Sequence, residues 1–500
     1  MSVVAYGSVA LLTLFPAACA GPGPKLFPAA PLETRRIDGG NTERLYDTDA
    51  DGQPDYAERL GPDGVMQQLR FGLDDDAGLA TVVDWPARLG PISVESADDD
   101  AVPHLLIILD SIPFAMVRDL WQQGRFRLFD PPARIISPFP VMTDPCLAEF
   151  FGVSPCPGVE SEYYDGTRLT SGFGTYLAER NAPWLACVDY HLSPYAHGQV
   201  YSKPHRWFDH DLGRIQRLFT GNPGQNFSAY VVSTSALGAR FGRNGHQAAL
   251  VRLDRFCQQI THTFGGRVGI TLLSDHGHNL VTSRRIPLER ILTRFGYRVG
   301  ESLRAPGDVV LPGFGVVTCA AIHTQQPAAV AGDLVGVEGI ALTLYRDGLD
   351  IVVLSRQGRA SLSKKENRLR YDPLRGDPLE LTAIWAGLGD KGLVDADGFV
   401  RDRDLFDATV GHSYPDAIAR VWRAFDGLFE NTPDVYVSVE DGYHCGSPFM
   451  THWLDLAAAH GNLGTASSCG FAMTTAGKLD PVMRMQDLRT ALQALGVPIR

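Results

Sequence analysis

No window of this 500-residue chain is apolar over the ~20 residues that a membrane-spanning helix requires, which leaves no candidate for such a helix. No basic stripe interrupts the formal net charge of −12, so neither nucleic acid nor an anionic lipid surface is expected as the main partner. Cysteine is scarce, eight in the whole chain, which rules out a disulfide-built scaffold, and no Cys-x-x-Cys is present. No internal repeat is visible.

What is there has the make-up of an ordinary globular chain, 44% hydrophobic and 20% charged. The length suffices for about three domains of common size, or for one large α/β unit with insertions. At the start, Val3 to Phe15 is mostly apolar, too short to span a bilayer but the right size for the core of a signal peptide. Ala17 and Ala18 precede Cys19, and Gly21, Pro22, Gly23 and Pro24 follow as a linker. This resembles a bacterial lipoprotein signal in which Cys19 would be lipidated, although Pro16 replaces the usual Leu and no Lys or Arg precedes the apolar run. Residues 1–24 are therefore expected to sort the chain to the cell envelope or outside it, periplasmic or lipid-anchored. With Cys19 so used, seven cysteines remain, an odd number, and Cys146/Cys156 and Cys445/Cys469 are close enough in sequence to pair in an oxidising compartment.

Residues 25–98 form an acidic, Pro/Gly-rich N-terminal region with one sharp motif. Asp47, Asp49, Asp51, Gln53, Asp55 and Glu58 stand at positions one, three, five, seven, nine and twelve of a calcium loop, with Gly52 at six for the sharp turn. Flanking helices are not evident, and Pro54 takes the usual apolar position. The motif predicts a free-standing structural Ca2+ loop.

The main domain is expected over 99–500. Its pattern alternates buried apolar runs (Val102 to Leu109, Ser228 to Ser233, Val268 to Leu273) with helical stretches such as Pro113 to Gly124 and His246 to Thr263. That alternation predicts an α/β fold with a mostly parallel sheet sandwiched by helices. Residues 284–377 change to short β-like stretches and predict an inserted α+β cap. Ligands in such sheets bind outside the carboxyl ends of the strands. Asp110 ends the first run, and Ser274-Asp275-His276-Gly277 ends the third. Carboxylate beside imidazole suits a zinc-like divalent ion. Thr143 stands where a loop enters a helix, with unpaired amides nearby to receive an anion.

In order along the chain come Asp110, Phe139-Pro-Val-Met-Thr143, Tyr164-Asp165, Asp275-His276-Gly277, Gly339-Ile-Ala-Leu, His460-Gly461 and Arg484-x-x-Asp487. From about residue 103 to 490 this series resembles the alkaline phosphatase superfamily, in its branch of type I phosphodiesterases and nucleotide pyrophosphatases. The resemblance implies two divalent ions, Zn2+ or Mn2+, about 4 Å apart, clamping an in-line phosphoryl transfer. It makes Thr143 the nucleophile of a covalent phospho-enzyme, Asp110, Thr143, Asp275 and His276 the ligands of one ion, and His460 one ligand of the other.

The second ion's remaining ligands in that family read Asp-x-x-Gly-His, and here the stretch is Ser235-Ala-Leu-Gly238-Ala239. Spacing and glycine match, but both ligand side chains are lost. Either one ion remains, or other residues compensate, with His197, His205, Asp209 and His210 as upstream candidates or else a solvated loop. The expected activity is metal-dependent hydrolysis of a small phosphodiester, or a phosphomonoester. The alternative is a binding protein that keeps the fold without catalysis. A sulfatase is disfavoured, because no Cys-x-Pro-x-Arg stands at the nucleophile position. His278 is expected in an exposed loop, Arg240 on a solvated helix turn, and His444 and His452 near His460.

Overall fold

The apolar run that ends at Asp110 forms strand His104–Leu109, with Leu105 to Leu109 at most 2% exposed. Each such side chain contributes about 1.5–3 kcal/mol over its exposed state, so the run can only be a central strand. It is central in a six-stranded sheet of order Phe227–Val231, His104–Leu109, Gly269–Ser274, Cys469–Thr474, Ala133–Ile136, Val482–Arg484. Five strands run one way, and Cys469–Thr474 pairs antiparallel with both neighbours. Helices Phe114–Gln122, Thr143–Phe151, Ser233–Thr263 and Met485–Ala494 pack on this sheet through one shared core. The fold is α/β with a mostly parallel sheet, as the alternation predicts. The computed structural model describes residues 21–72, 79–85, 102–160, 162–171, 182–313, 315–446 and 456–500; residues 1–20 of the expected sorting segment, Cys19 among them, and His452 lie outside them. No helix among the described residues is long and apolar enough to cross a membrane.

The expected cap contains a nine-stranded sheet that is wider than 284–377. It runs from Arg298–Val299 to Val400–Arg401 in space and takes Val435–Val439 between Cys319–Thr324 and Ile340–Asp347. Helices Thr382–Asp390, Asp402–Thr409 and Ala417–Phe425 cover one face, and Leu288–Arg294 and Pro327–Leu334 the other.

The N-terminal region forms a five-stranded antiparallel sheet, Glu33–Arg36, Thr42–Tyr46, Tyr56–Leu60, Met66–Phe71 and Thr81–Asp84. Phe27, Tyr46, Tyr56 and Phe71 join the core of the main sheet, with His262 of the long helix packed among their rings. The calcium motif is the turn of its second hairpin. Asp47 accepts the amides of Ala50 and Gly52 at 2.6 and 2.8 Å, and Asp47, Asp49 and Asp51 bring carboxylate oxygens within 4.8 Å of one another. Asp55 accepts the Thr48 amide at 2.9 Å, while Gln53 supplies its own amide to Asp51. Glu58 departs from the expected ligand arrangement: it lies on strand Tyr56–Leu60, fully buried, accepting from Tyr46 Oη at 3.2 Å and Gln258 Nε2 at 2.8 Å.

The seven cysteines among the described residues are free thiols, so neither sequence-adjacent pair is joined. Cys445 instead donates to the Cys319 carbonyl at 2.9 Å.

Candidate functional site

One edge of the main sheet gathers the residues that the sequence singles out. Asp110 follows Leu109 and Asp275 follows Ser274 at the carboxyl ends of adjacent parallel strands. Thr143 is the first residue of helix Thr143–Phe151, which follows strand Ala133–Ile136. The loop of His460 feeds the antiparallel strand, whose start lies at this same edge. Gly277 lets that loop close over the site, because a Cβ there would run into the carbonyls of Ala466 and Cys469.

The Asp110, Asp275 and His276 side chains are buried and offer ligand atoms within 4.8 Å of one another. Oδ1 of Asp275 accepts the amides of Ser111 (3.0 Å) and His276 (2.8 Å); Oδ2 lies 3.4 Å from His276 Nε2 and is buried without a hydrogen-bond partner. Asp110 accepts from Ser111 Oγ at 2.5 Å and Tyr230 Oη at 2.7 Å. Thr143 Oγ1 stands 3.4 Å from His276 Nε2.

Two imidazoles are held the same way. His276 Nδ1 lies 3.1 Å from the Gly277 carbonyl, and His460 Nδ1 lies 2.9 Å from the Val141 carbonyl. A carbonyl only accepts, so each ring carries its proton on Nδ1 and presents a bare Nε2 lone pair. The two rings stack at 4.1 Å.

Burial lifts Asp275 to about 6 and, with the Asp275 charge as a lesser cause, raises Asp110. Burial lowers His276, and burial with His276 nearby lowers His460 to about 3. Burial thus makes charge of either sign costly here, and Asp275 still ionises above about pH 6. A divalent cation would satisfy the orphan oxygen, ionise both carboxylates and accept the imidazole lone pair, so the residues present fit one.

Ser235 and Ala239 lie one turn apart in the first part of helix Ser233–Thr263, before its break at Gly242 (φ 56°), and both face the cleft. The i, i+4 spacing explains why that motif places two side chains on one point. Ser235 Oγ accepts the Ser111 hydroxyl at 3.3 Å. The upstream candidates are used elsewhere, and on helices (Pro194–Val200 and Pro204–Thr220), not in a solvated loop. His197 bonds the Leu192 carbonyl, His205 stacks on Phe241, Asp209 pairs with Arg252, and His210 accepts the Gly21 amide. Arg240 donates to the Tyr201 carbonyl, and His444 lies 2.8 Å from Ser283.

His278 corrects the sequence reading. It is 3% exposed, lines the cleft beside Ser235, Ala239 and His460, and pairs with buried His246. Sequence reasoning also passed over Tyr230, Ser111 and Asp144. Asp144, next to the nucleophile candidate, takes the Trp184 indole N–H at 2.9 Å and is lifted by burial to about 7. An acid directly after Thr143 in the helix's first turn was the one available signal.

The cleft above these groups measures about 230 Å³ and reaches Gly315 to Val317 of the cap. Asp110, Asp144 and Glu160 line it, and no Lys or Arg does so among the described residues.

No family model matches the chain, and no curated protein matches it. Among solved structures it is similar to the crystal structure of phosphonoacetate hydrolase from Sinorhizobium meliloti 1021 in complex with phosphonoacetate. The identity is 10% and the TM-score 0.41, over 79% of this chain and 96% of that one.

Proposed function

We propose that the chain is a metal-dependent hydrolase of small phosphodiesters, or of phosphomonoesters, acting through Thr143. The observation that carries the reading is the orphan Asp275 Oδ2, converging with Asp110 and His276 beside a hydroxyl at the amino end of a helix. A buried carboxylate oxygen left without a donor is costly even where its twin accepts two amides, and a cation bound to it offsets that cost. Asp110, Asp144 and Glu160 line the cleft and no Lys or Arg among the described residues does, so a bound cation would supply the positive charge that a phosphate ester meets there.

Asp110, Asp275, His276 and the Thr143 oxygen would hold Zn2+ or Mn2+, which would supply positive charge and lower the pKa of a bound hydroxyl. Thr143 Oγ1 would attack phosphorus, its proton passing to solvent, and the ester oxygen would leave as the P–O bond to it breaks. Water then cleaves the phosphothreonine. Of the first-turn amides of helix Thr143–Phe151, Pro145 has none and Cys146 bonds the Met142 carbonyl, so those of Thr143 and Asp144 would be the donors to the phosphoryl oxygens. The Asp47–Asp55 turn would hold Ca2+ as a structural ion, independent of this chemistry.

A second reading, a binding protein without catalysis, is favoured by one observation: Ser235 and Ala239 leave that face of the cleft without the carboxylate and imidazole of the family motif. Hydrolysis of bis- and mono-nitrophenyl phosphate by protein loaded separately with zinc, manganese and calcium decides between them. The hydrolase reading expects metal-dependent turnover that Thr143→Ala lowers by at least about a thousandfold, as loss of a nucleophile does. Folded protein inert with every metal would leave the binding reading.

A further inference from the structure

The cleft contains a third imidazole that the family motif does not use. His278 Nδ1 lies 3.1 Å from Nε2 of His246, and His246 sits fully buried on the long helix. That contact holds the His278 ring through Nδ1, and with Nδ1–H donating to His246 Nε2 the His278 Nε2 lone pair is left over, the tautomer that the carbonyls of Gly277 and Val141 impose on His276 and His460. Rings pinned through one nitrogen by a buried partner, with the other nitrogen free, are the usual arrangement of metal-binding histidines. The His278 and His460 rings are 5.5 Å apart at their centroids, and both line the cleft with Ser235 and Ala239.

Gly238 makes the arrangement possible. A Cβ at 238 would collide with Nε2 of His246 and with Nδ1 of His278. The glycine of the degraded motif therefore makes room for the two histidines that stand beside its empty ligand positions.

We infer that His278 and His460 hold a second divalent cation through their Nε2 atoms, with His246 as the positioning residue, in place of the ligands lost at Ser235 and Ala239. This rests on the reading of Asp110, Asp275 and His276 as a first cation site. Two imidazoles leave coordination positions for water and a substrate oxygen, so the second ion binds more weakly than the first; three protein ligands are usual at a catalytic zinc.

The test is zinc titration of metal-stripped protein by calorimetry, with the acidic hairpin saturated by calcium. The unmodified chain is expected to take two zinc ions in two steps. His278→Ala loses the weaker step and keeps the tighter one, and His246→Ala weakens only the weaker step, by about 10- to 100-fold. Zinc-edge X-ray absorption on the unmodified protein keeps the test independent of whether the variants fold, because the second equivalent must add imidazole scattering. Two steps retained in His278→Ala, or a single step in the unmodified chain, overturn the inference and leave the first site standing. No zinc bound at all overturns both.

Discussion

Asp275 sets the balance between function and stability at the level of a single residue. Its folded value of about 6 lies above the ordinary carboxylate value, so the folded state binds the proton more tightly than the unfolded chain does. That contribution to stability is fully present in acid and is lost as pH rises from about 4 to about 6, up to about 3 kcal/mol for the apo-protein. Asp275→Asn keeps an acceptor for the Ser111 and His276 amides and never ionises. Metal-free Asp275→Asn is therefore expected to melt higher than the parent chain at pH 8 and alike at pH 4. It should show no zinc-induced rise at the first site. Calorimetric melts at the two pH values check this, and a parent-like loss on raising pH would remove the buried-carboxylate account. Which of these residues could be read from the sequence follows from their physics. Asp110 and Asp275 stand out because an ionisable group ending a wholly apolar run is costly without a purpose. His278 does not, because a polar residue after Gly in a strand-end turn normally faces water, and it is the His460 loop and His246 of the long helix, packed against it, that make it interior.

Among the elements, the second hairpin of the N-terminal sheet carries its own ion chemistry. Its turn was legible, because acidic residues at alternate positions around Gly52 have few other uses. Its strands were not, since Thr42–Tyr46 and Tyr56–Leu60 carry Glu43, Arg44, Glu58 and Arg59 and show no simple alternation. Glu58 is buried against Tyr46 and Gln258 and is lifted by burial to about 7. Calcium is expected to raise the melting temperature through Asp47, Asp49 and Asp51, and Asp49→Asn combined with Asp51→Asn should abolish the rise. Glu58→Gln should keep the calcium response while removing a stability loss that otherwise develops between about pH 4.5 and 7. A calcium response that vanishes in Glu58→Gln would show instead that this carboxylate swings out to the ion. The pH dependence separates the two roles, because only the buried one produces it.

The whole molecule depends on how the nine-stranded sheet and its helices are tied to the main sheet: Phe139, Met142 and Ala148 share a hydrophobic core with them, Arg423 pairs with Glu149, and two further arginines add hydrogen-bonded ties. Arg420, fully buried on helix Ala417–Phe425, donates to Ser468 Oγ at 2.7 Å and to the Leu463 carbonyl at 3.2 Å, anchoring the stretch that follows His460. Arg484, at the end of edge strand Val482–Arg484, is bidentate to Asp416 at 2.7 and 2.8 Å and to Asp402 at 2.5 and 2.8 Å. Asp416 precedes one cap helix and Asp402 begins another. The Asp416 side chain is 1% exposed, so removing the guanidinium strands a buried charge, whereas Asp402 is open enough to be rehydrated. Arg484→Ala is expected to cost about 3–5 kcal/mol, the range for breaking one partner out of a buried pair. Arg484→Ala with Asp416→Asn should recover part of that loss, because the uncompensated charge is gone, whereas pairing with Asp402→Asn should recover little. Urea unfolding of the three variants measures the difference. Equal recovery from either aspartate would mean that the Arg484 tie is a surface network.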